Sequence, residues 1–459
     1  MENPINRRSF LQHTGLIGLS LSLPTHLISQ SAMKGFQIER VNANFEREHL
    51  LRPFGFKGAA MTEVWQTACK VQGSSGISRI GLGTQNVLWS DSRVFASHSE
   101  NGGNALMFAM TEFALQQAKN RRFETPVDLL DQLLDEVWEY GKVITGQKDL
   151  RKTFALNAMV PLDNAAWLLY AAENKQEQFD EMLPSAYQKA LKERHPKVAA
   201  IPAFGYGTSM EEIKRLAEEG FFIMKIKIGA PGEPEEMLEK DKAFLKSIHE
   251  TIGSNETPHT ADGKIPYYFD ANGRYPSKEY LQRFLDYAQS IGAFEQIALI
   301  EEPFGEKNHE YVGDIGVVIA ADESAHTDED ALRRIEEGYK AIAVKAVAKT
   351  LSMTLKIIKL ANERQIPCFC ADLTVNPILV EWNKAVAARL PAFPGLDFGL
   401  QETNGFQNYA NWESMMEYHP TKGANWVSPK EGVYPTDSTF FARSGGIFEP
   451  SEHFEKMFP

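Results

Sequence analysis

The sequence predicts a parallel α/β barrel that follows a smaller α+β domain. From about residue 197 onward, short apolar runs alternate with stretches of helical period, as in a parallel sheet with helical crossovers. About eight such strands can be counted, and no glycine-rich dinucleotide-binding turn follows any of them, so a closed barrel is favoured over an open sheet. Before residue 197, strands come first and helices second, which is typical of a separate α+β domain.

Length and charge narrow the functional classes. The chain has 459 residues, 43% of them apolar, and a formal net charge of −13. It is therefore long enough for a large core and two domains. The negative charge argues against nucleic acid and anionic membranes as partners and favours chemistry on a small molecule. Only three cysteines occur, Cys69, Cys368 and Cys370, so a disulfide framework is not expected.

The first residues have the pattern of a twin-arginine export signal. Arg7 and Arg8 precede a moderately apolar run at 14–23, which is too short to span a bilayer. We therefore expect residues 1–32 to direct a folded protein to the periplasm. The mature protein is expected to have no membrane span.

Residues 33–160 are expected to form the α+β domain. Alternation and frequent turns predict an antiparallel meander from residue 36 to about 96, and helical periodicity predicts helices over 101–119 and 126–140. The turns at 52–58 and 89–93 are either loops that close over a site or ordinary surface turns.

A pair of lysines marks the second predicted barrel strand, 221–229. The period of two places Lys225 and Lys227 on one face. Neighbouring ammonium groups lower each other's pKa, and a lysine with a lowered pKa can act as a base near neutral pH. Taken alone, the pair is better explained as part of an edge strand whose surface lysines block aggregation.

Acidic residues end the next three predicted strands: Asp270, Glu301 and Asp322. In a parallel barrel these strand ends meet on one rim. Three clustered carboxylates need a cation, and oxygen ligands favour Mg²⁺, with Mn²⁺ as the alternative. Each residue by itself would also suit a helix N-cap, but three in succession make that explanation the weaker one.

Lys345 ends the sixth predicted strand, which lies across an eight-stranded barrel from the second. Lys227 and Lys345 are therefore expected to face each other across the cation. One lysine could remove the α-proton of a bound carboxylate and the other could return it, which inverts the carbon. Use of one lysine alone would allow elimination, cycloisomerisation or simple exchange.

In this order and rhythm, the motifs resemble those of the enolase superfamily, in its muconate-lactonising and dipeptide-epimerase branch. The motifs are Lys225-Ile-Lys227, Asp270-Ala-Asn272, Glu301-Glu302-Pro303, Asp322-Glu323-Ser324 and Lys345. Enolase-superfamily sites pair a lysine or histidine base with magnesium. The resemblance implies a modified TIM barrel of the (β/α)7β type over residues 195–409. It also implies a capping α+β domain over 33–160, which the segment 410–459 completes.

The resemblance also implies residue roles. Asp270, Glu301 and Asp322 become the metal ligands, and Lys227 and Lys345 become the acid–base pair. Lys225 is expected to bind the substrate carboxylate, and the segments at 54–57 and after Trp89 are expected to close the pocket. Around the metal ligands stand the supporting residues Asn272, Glu302 and Glu323.

Two strand ends depart from the family pattern. Lys345 is followed by Ala-Val-Ala-Lys349 instead of a nearby Gly-Gly, and the last strand ends in Gln401-Glu402 instead of Asp-x-Asp. Glu402 is expected to bind an ammonium group of the substrate. Asp372, at the end of the seventh strand, either points into the site or caps the helix that starts near residue 377.

The favoured expectation is a magnesium-dependent racemase or epimerase that forms a Mg-stabilised enolate from a small carboxylate, such as an N-acyl amino acid or a dipeptide. The alternatives are a cycloisomerase or syn-dehydratase with the same residues, and a periplasmic binding protein that has lost catalysis. Retention of both lysines and all three carboxylates argues against a binding protein. The resemblance is compatible with a homo-oligomer.

Overall fold

The described residues form two β-sheets, and the first is antiparallel and four-stranded, in the order β3-β2-β1-β4. The computed structural model describes residues 34–56 and 59–458, so the predicted export signal lies outside the described residues. The strands are β1 Phe36–Phe56, β2 Ala59–Gly73, β3 Ser78–Gln85 and β4 Arg122–Phe123. The antiparallel strands predicted from residue 36 are therefore present, but the meander ends at Gln85 instead of near residue 96.

Helices follow this sheet directly. They are α1 Val87–Ser90, α2 Ser92–Ala118, α3 Pro126–Thr145, α4 Lys152–Glu173, α5 Phe179–Met182 and α6 Ser185–Gln188, with a 3-10 helix at Lys189–Leu191. Helix α2 is interrupted at Ser99, whose φ is 64°. Helix α4 was not predicted from periodicity, and it is buried without interruption from Thr153 to Ala171. A helix that is covered on all sides carries no apolar stripe, which explains why the pattern does not reveal it.

The second sheet contains ten strands, in the order β14-β5-β13-β12-β11-β10-β9-β8-β7-β6. They are β5 Lys197–Ile201, β6 Ala203–Phe204, β7 Met224–Lys227, β8 Tyr267–Asp270, β9 Ile297–Glu301, β10 Ile319–Ala321, β11 Ala341–Val344, β12 Cys368–Cys370, β13 Gly399–Glu402 and β14 Val433–Pro435. Strand β5 pairs with β13, whereas β6 pairs with β7, and only Pro202 separates β5 from β6. Segment 197–204 therefore joins both ends of the sheet and closes the predicted barrel.

The barrel helices are α7 Met210–Glu218, α8 Pro234–Ile252, α9 Lys278–Ser290, α10 Asp328–Glu336, α11 Ala346–Lys349, α12 Leu351–Glu363 and α13 Pro377–Ala387, with a 3-10 helix at Phe294–Gln296. One connection differs from the predicted alternation, because the described residues 302–318 between β9 and β10 contain no helix. This connection contains Pro303 and three glycines, which favour turns over helical backbone. None of the helices in the described part of the chain is long and apolar enough to cross a membrane.

The C-terminal segment returns to the first sheet. Its elements are α14 Gly405–Asn408, α15 Trp412–Met416, α16 Ser438–Arg443 and α17 Glu452–Glu455, with a 3-10 helix at Ser444–Gly446. Asn44 of β1 donates a hydrogen bond to the Met457 carbonyl at 3.1 Å, and His453 lies 2.8 Å from Glu46. Both sheets belong to one compact unit that starts at Lys34. The domain boundaries at 160, 195 and 410 remain predictions.

An apolar layer fills the barrel beneath its carboxyl rim. The inward-facing core includes Ile223, Tyr268, Leu299, Ala320 and Ala343. Each of these residues stands two positions before a charged one, in the same order: Lys225, Asp270, Glu301, Asp322 and Lys345. Because side chains alternate along a strand, the charged residues continue on the inner face and meet at the rim.

Candidate active site

A cavity of about 30 Å³ lies at this rim. Its lining combines charged residues of the strand ends with aromatic residues of the N-terminal region. The lining includes Lys225, Lys227, Asp270, Asn272, Lys345, Asp372, Glu402, Phe54, Phe56 and Trp89. The structure therefore brings both members of the predicted lysine pair, and Lys225 beside them, to one cavity.

Lys225 lies at the centre of the charged layer and is 2% exposed. Its Nζ atom is 2.9 Å from Glu402, 3.0 Å from Asp270 and 3.2 Å from Glu301. Burial disfavours the ammonium form, but the three carboxylates outweigh it and raise the pKa of Lys225 well above its usual value. The expected lowering of the Lys225 pKa by its lysine neighbour is therefore wrong, because the surrounding carboxylates dominate.

Lys227 is more accessible, with 21% of its side chain exposed. Its Nζ atom donates hydrogen bonds to Asp270 Oδ2 at 2.5 Å and to Asn272 Oδ1 at 2.9 Å, and it lies 6.0 Å from the centre of the Phe56 ring. Asp270 thus contacts Lys225 and Lys227 through one oxygen. Burial alone would raise the pKa of Asp270, but the two lysines lower it to about 2.

Lys345 is buried on the other side of the cavity. Its Nζ atom donates to Asp322 Oδ2 at 2.5 Å and lies 4.6 Å from the centre of the Trp89 ring. Burial acts to lower the pKa of Lys345, and the Asp322 charge outweighs it, so the pKa is raised. The raised pKa favours the ammonium form of Lys345.

A second buried lysine, Lys349, supports Asp322. Its Nζ atom donates to the Asp322 carbonyl at 2.6 Å and to the Ala325 carbonyl at 3.0 Å. No function is predicted for Lys349 from the sequence. One feature of the sequence could have indicated its role. Lys349 stands four residues after Lys345, and in a helix that follows a strand end this spacing brings the two side chains to the same face.

Three buried carboxylates are placed to hold a cation. Glu301, Asp322 and Glu323 can each offer an oxygen such that all three oxygens lie within 4.8 Å of one another. Glu323 Oε2 is buried without a hydrogen-bond partner among the described residues. Burial also raises the pKa of Glu301 to about 8, even beside Lys225. A donor set made of carboxylate oxygens fits Mg²⁺.

This group differs from the predicted ligand set in one member. Glu323 belongs to it, whereas Asp270 is engaged by the two lysines described above. Asp270 and Glu301 share Lys225 as a partner, so Asp270 adjoins the group. Its role as a ligand remains a prediction.

Asn272 and Glu302 brace the strand ends. Asn272 accepts from Lys227 and donates to Glu323 Oε1 at 2.9 Å, so it links the lysine to the carboxylate group. Glu302 Oε2 accepts from the Asp322 amide at 2.8 Å and from the Ser324 hydroxyl at 2.9 Å. Both residues have a positive φ, 46° for Asn272 and 42° for Glu302, a strained backbone conformation that often occurs at functional sites.

Glu402 and Asp372 form the remaining wall. Glu402 Oε2 accepts from Lys225 at 2.9 Å and from the Asp372 amide at 3.0 Å. Asp372 Oδ2 accepts from the Asn404 amide at 2.9 Å. Glu402 therefore already has a cationic partner within the protein. The role predicted for it, binding a substrate ammonium group, remains a prediction.

The alternation of side chains along strand β12 does not explain why Asp372 lines the cavity. Strand β12 ends at Cys370, whose Sγ faces the Asn383 carbonyl of α13, so this face of the strand points away from the barrel interior. Asp372 enters the cavity because the chain turns after the strand. It does not cap α13, because Asn376 accepts from the Leu379 amide in that role. The capping alternative is therefore wrong.

Comparison with known proteins agrees with this geometry. Residues 208–419 match the sequence model of the family described as enolase C-terminal domain-like. The barrel belongs to the enolase superfamily. No curated protein sequence matches the chain. The predicted family, the barrel fold and the assignment to the enzymes of this superfamily are thereby confirmed.

Solved structures share the fold of this chain at low identity. A mandelate racemase/muconate lactonizing protein from Herpetosiphon aurantiacus is 17% identical, with a TM-score of 0.59 over 87% of this chain and 95% of that one. A dipeptide epimerase from Enterococcus faecalis V583, complexed with Mg and L-Leu-L-Tyr, is 18% identical, with a TM-score of 0.55 over 80% and 90%. An L-talarate dehydratase from Polaromonas sp. JS666, complexed with Mg and L-glucarate, is 15% identical, with a TM-score of 0.60 over 88% and 93%.

The N-terminal region covers the superfamily barrel at the cavity. Phe54 and Phe56 stand at the end of strand β1 and Trp89 in helix α1, where loops were expected, and Lys57 lies outside the described residues. Arg151 fixes this cover, because it donates to the Trp89 carbonyl at 2.8 Å and to the Glu323 carbonyl at 3.1 Å. No pattern in the sequence marks Arg151.

Proposed function

We propose that the chain is a magnesium-dependent racemase or epimerase of a small carboxylate, such as an N-acyl amino acid or a dipeptide. One observation carries this proposal. Counting 197–204 as one strand, the closed barrel has Lys227 at the end of β7 and Lys345 at the end of β11, with β8, β9 and β10 between them. Four steps around a ring of eight strands place the two lysines on opposite sides of the cavity.

The reaction breaks the C–H bond next to the substrate carboxylate and leaves the electron pair on the substrate as an enolate. One lysine, in its neutral form, takes the proton at Nζ. The ammonium group of the other lysine then donates a proton to the opposite face of the carbon, so the configuration inverts. Lys225, inside the charged layer, holds the substrate carboxylate.

We propose that Asp270, Glu301 and Asp322 hold Mg²⁺, with Glu323 beside them; Mn²⁺ suits the same oxygen donors. When bound, the divalent cation supplies positive charge that stabilises the developing enolate and lowers the pKa of the nearby lysines. Asn272 and Glu302 keep these carboxylates in place through the hydrogen bonds described above.

Two of the structural neighbours support related reactions. The Enterococcus protein is a dipeptide epimerase with Mg and a dipeptide bound, which supports epimerisation. The Polaromonas protein is a dehydratase with Mg and L-glucarate bound, which supports elimination as the second candidate. A dehydratase would use one lysine as base and would release water from the neighbouring carbon.

Deuterium uptake at the α-carbon in heavy water tests the proposal. A library of N-acyl amino acids, dipeptides and hydroxy acids is incubated with the protein and Mg²⁺, and the products are read by mass and by chiral separation. We expect exchange with inversion, and loss of exchange in the double variant Lys227→Ala, Lys345→Ala. Exchange that survives both substitutions would contradict the lysine assignment. No exchange across the library would favour a binding protein, and loss of water would favour the dehydratase.

We also propose that the protein is exported to the periplasm, on the basis of Arg7, Arg8 and the apolar run at 14–23. Cell fractionation with mass analysis of the N-terminus tests this. Cytoplasmic protein with residues 1–32 intact would contradict export.

A further inference from the structure

A second, larger cavity of about 560 Å³ adjoins the catalytic cavity. The two share Phe54, Phe56, Lys227 and Asn272 in their linings. The catalytic cavity, about 30 Å³, has room for roughly two water-sized spheres. It therefore accommodates little more than the reacting carbon and its carboxylate. The rest of a substrate that reaches Lys227 must extend into the larger cavity, which has the usual size of a small-molecule site.

The charged residues that line the larger cavity all have the same sign. In the part of the lining that the structure describes, they are Arg52, Lys227 and Arg274, and no aspartate or glutamate is among them. The chain as a whole has a net charge of −13, so this cationic lining opposes the average of the molecule. A cavity lined by one sign of charge attracts ligands of the other sign.

Arg274 is the member of this set that lacks a strong partner. Its Nη2 atom is 3.5 Å from the Ala230 carbonyl, and its Nε is buried without a hydrogen-bond acceptor among the described residues. Arg52, in contrast, lies 3.5 Å from Glu212 and is 51% exposed. A buried N–H without an acceptor is unfavourable, and a ligand oxygen would satisfy it.

The position of Arg274 is fixed by its surroundings. Gly229 has a φ of 79°, and a Cβ atom there would lie 2.7 Å from the Arg274 Cβ, so the glycine lets the arginine pack against the end of β7. The loop after Gly229 is held by Asp241, which accepts from the Gly229 amide at 2.8 Å and the Ala230 amide at 3.0 Å. Asp241 also accepts from the Tyr275 hydroxyl at 2.8 Å. This wall is thus formed before any ligand arrives.

We propose that Arg274 binds a second anionic group of the substrate, and that the substrate class is a dicarboxylate. This inference rests on the proposed function, because the substrate carboxylate that reacts is taken to be the one beside Lys227. The reacting carboxylate lies by Lys225, an apolar spacer lies along Phe54 and Phe204, and the distal carboxylate meets the guanidinium fork of Arg274. A planar guanidinium can bind a carboxylate through two parallel hydrogen bonds.

Binding of matched probes tests this inference without any need for turnover. Titration calorimetry with the Mg²⁺-loaded protein compares N-acetyl-L-glutamate with N-acetyl-L-glutamine, and N-glutaryl-L-leucine with its terminal amide. Each pair differs by one negative charge, on the side chain or on the acyl chain. We expect the dianion of at least one pair to bind about tenfold more tightly, or better, than its amide. Arg274→Met is expected to bring this ratio close to one and to leave the affinity for the amide almost unchanged.

Two further variants keep the test decisive. Arg274→Lys retains the charge without the fork and should keep part of the preference, so the test stands even if Arg274→Met fails to fold. Arg283→Met removes a surface arginine that pairs with Glu235 at 2.7 Å and should leave the ratio unchanged. A wild type without charge preference in either pair, or a preference that survives Arg274→Met, would overturn the inference.

The binding experiment and the exchange experiment can each give a negative result without the other. Charge preference at Arg274 without α-proton exchange would contradict the proposed function and keep this subsite. Exchange confined to monocarboxylates would keep the proposed function and remove the subsite.

Discussion

On the Lys227 side of the site the cavity is open, whereas on the Lys345 side it is closed. Lys227 is 21% exposed and borders both cavities, and Lys345 is 3% exposed beneath the Trp89 ring. Each lysine contacts one aspartate at 2.5 Å, Asp270 on the open side and Asp322 on the closed side. For the proposed reaction, we infer from this difference that substrate enters past Lys227 and that Lys345 acts from a buried position.

Helix α4 packs against the closed side through buried hydrogen bonds. Asp163 of this helix accepts from the Ser352 hydroxyl at 2.5 Å and the Ser352 amide at 3.1 Å, and Trp167 donates to the same hydroxyl at 3.0 Å. Ser352 belongs to α12, a few residues after Lys345 along the chain. Buried and mutually satisfied polar groups of this kind hold a single arrangement.

The largest effect is expected from Asp322→Asn, which removes the charge of the central carboxylate on the closed side. The substitution weakens the charge balance of two buried lysines, Lys345 and Lys349, and removes one oxygen donor of the cation group. We expect α-proton exchange to fall by about a thousandfold or more. The free energy of unfolding, measured in urea, should fall by about 3–5 kcal/mol, because buried charges lose their partner. Asp314→Asn, at an exposed pair with Lys278, is the matched control and should change neither quantity measurably.

Binding of Mg²⁺ between the open side and the closed side should stabilise the folded protein. At a concentration one hundred times the Kd, Mg²⁺ is expected to raise the free energy of unfolding by about 2.7 kcal/mol. Glu301→Gln should abolish this increase. Asp270→Asn and Glu323→Gln decide the third ligand, and we expect the larger loss in Asp270→Asn. Loss in Glu323→Gln alone would contradict the predicted ligand set and favour the group seen in the structure.

The last expected effect concerns the pH dependence of stability on the closed side. Burial raises the pKa of Asp163 to about 7, against about 3.9 in an unfolded chain. Between these values the unfolded chain releases a proton that the folded protein retains, so this group makes stability fall as pH rises from about 4 to 7. Asp163→Asn should flatten that part of the profile in urea unfolding at several pH values. An unchanged slope would show that Asp163 does not titrate in this way.

The strand ends could be predicted because they depend on local pattern. The lysine pair of β7, the three acidic strand ends and Lys345 were all identified from alternation and order, and the structure brings them to one rim. For Asp372, the sequence left two alternatives open, a position in the site beside Glu402 or a helix cap. Its position depends on a turn after β12, and strand periodicity does not extend past the end of a strand.

Other features could not be predicted for identifiable physical reasons. Helix α4 has no polar face, so no stripe signals it. The contacts of Arg151 and Lys349 join segments that are distant in sequence or follow a strand end, and no local propensity encodes them. The predicted pKa of Lys225 is wrong because the prediction rests on one lysine neighbour in the sequence. The three carboxylates that raise the pKa come from other strands.

The central claim is that the two lysines act on opposite faces of one carbon. Its most direct test follows deuterium uptake separately from each enantiomer of an active substrate in heavy water, with Lys227→Ala and Lys345→Ala as single variants. We expect each variant to lose exchange of one enantiomer, a different one in each case, and both variants to lose interconversion. Loss of exchange from the same enantiomer in both variants, or interconversion that persists in either, would contradict it.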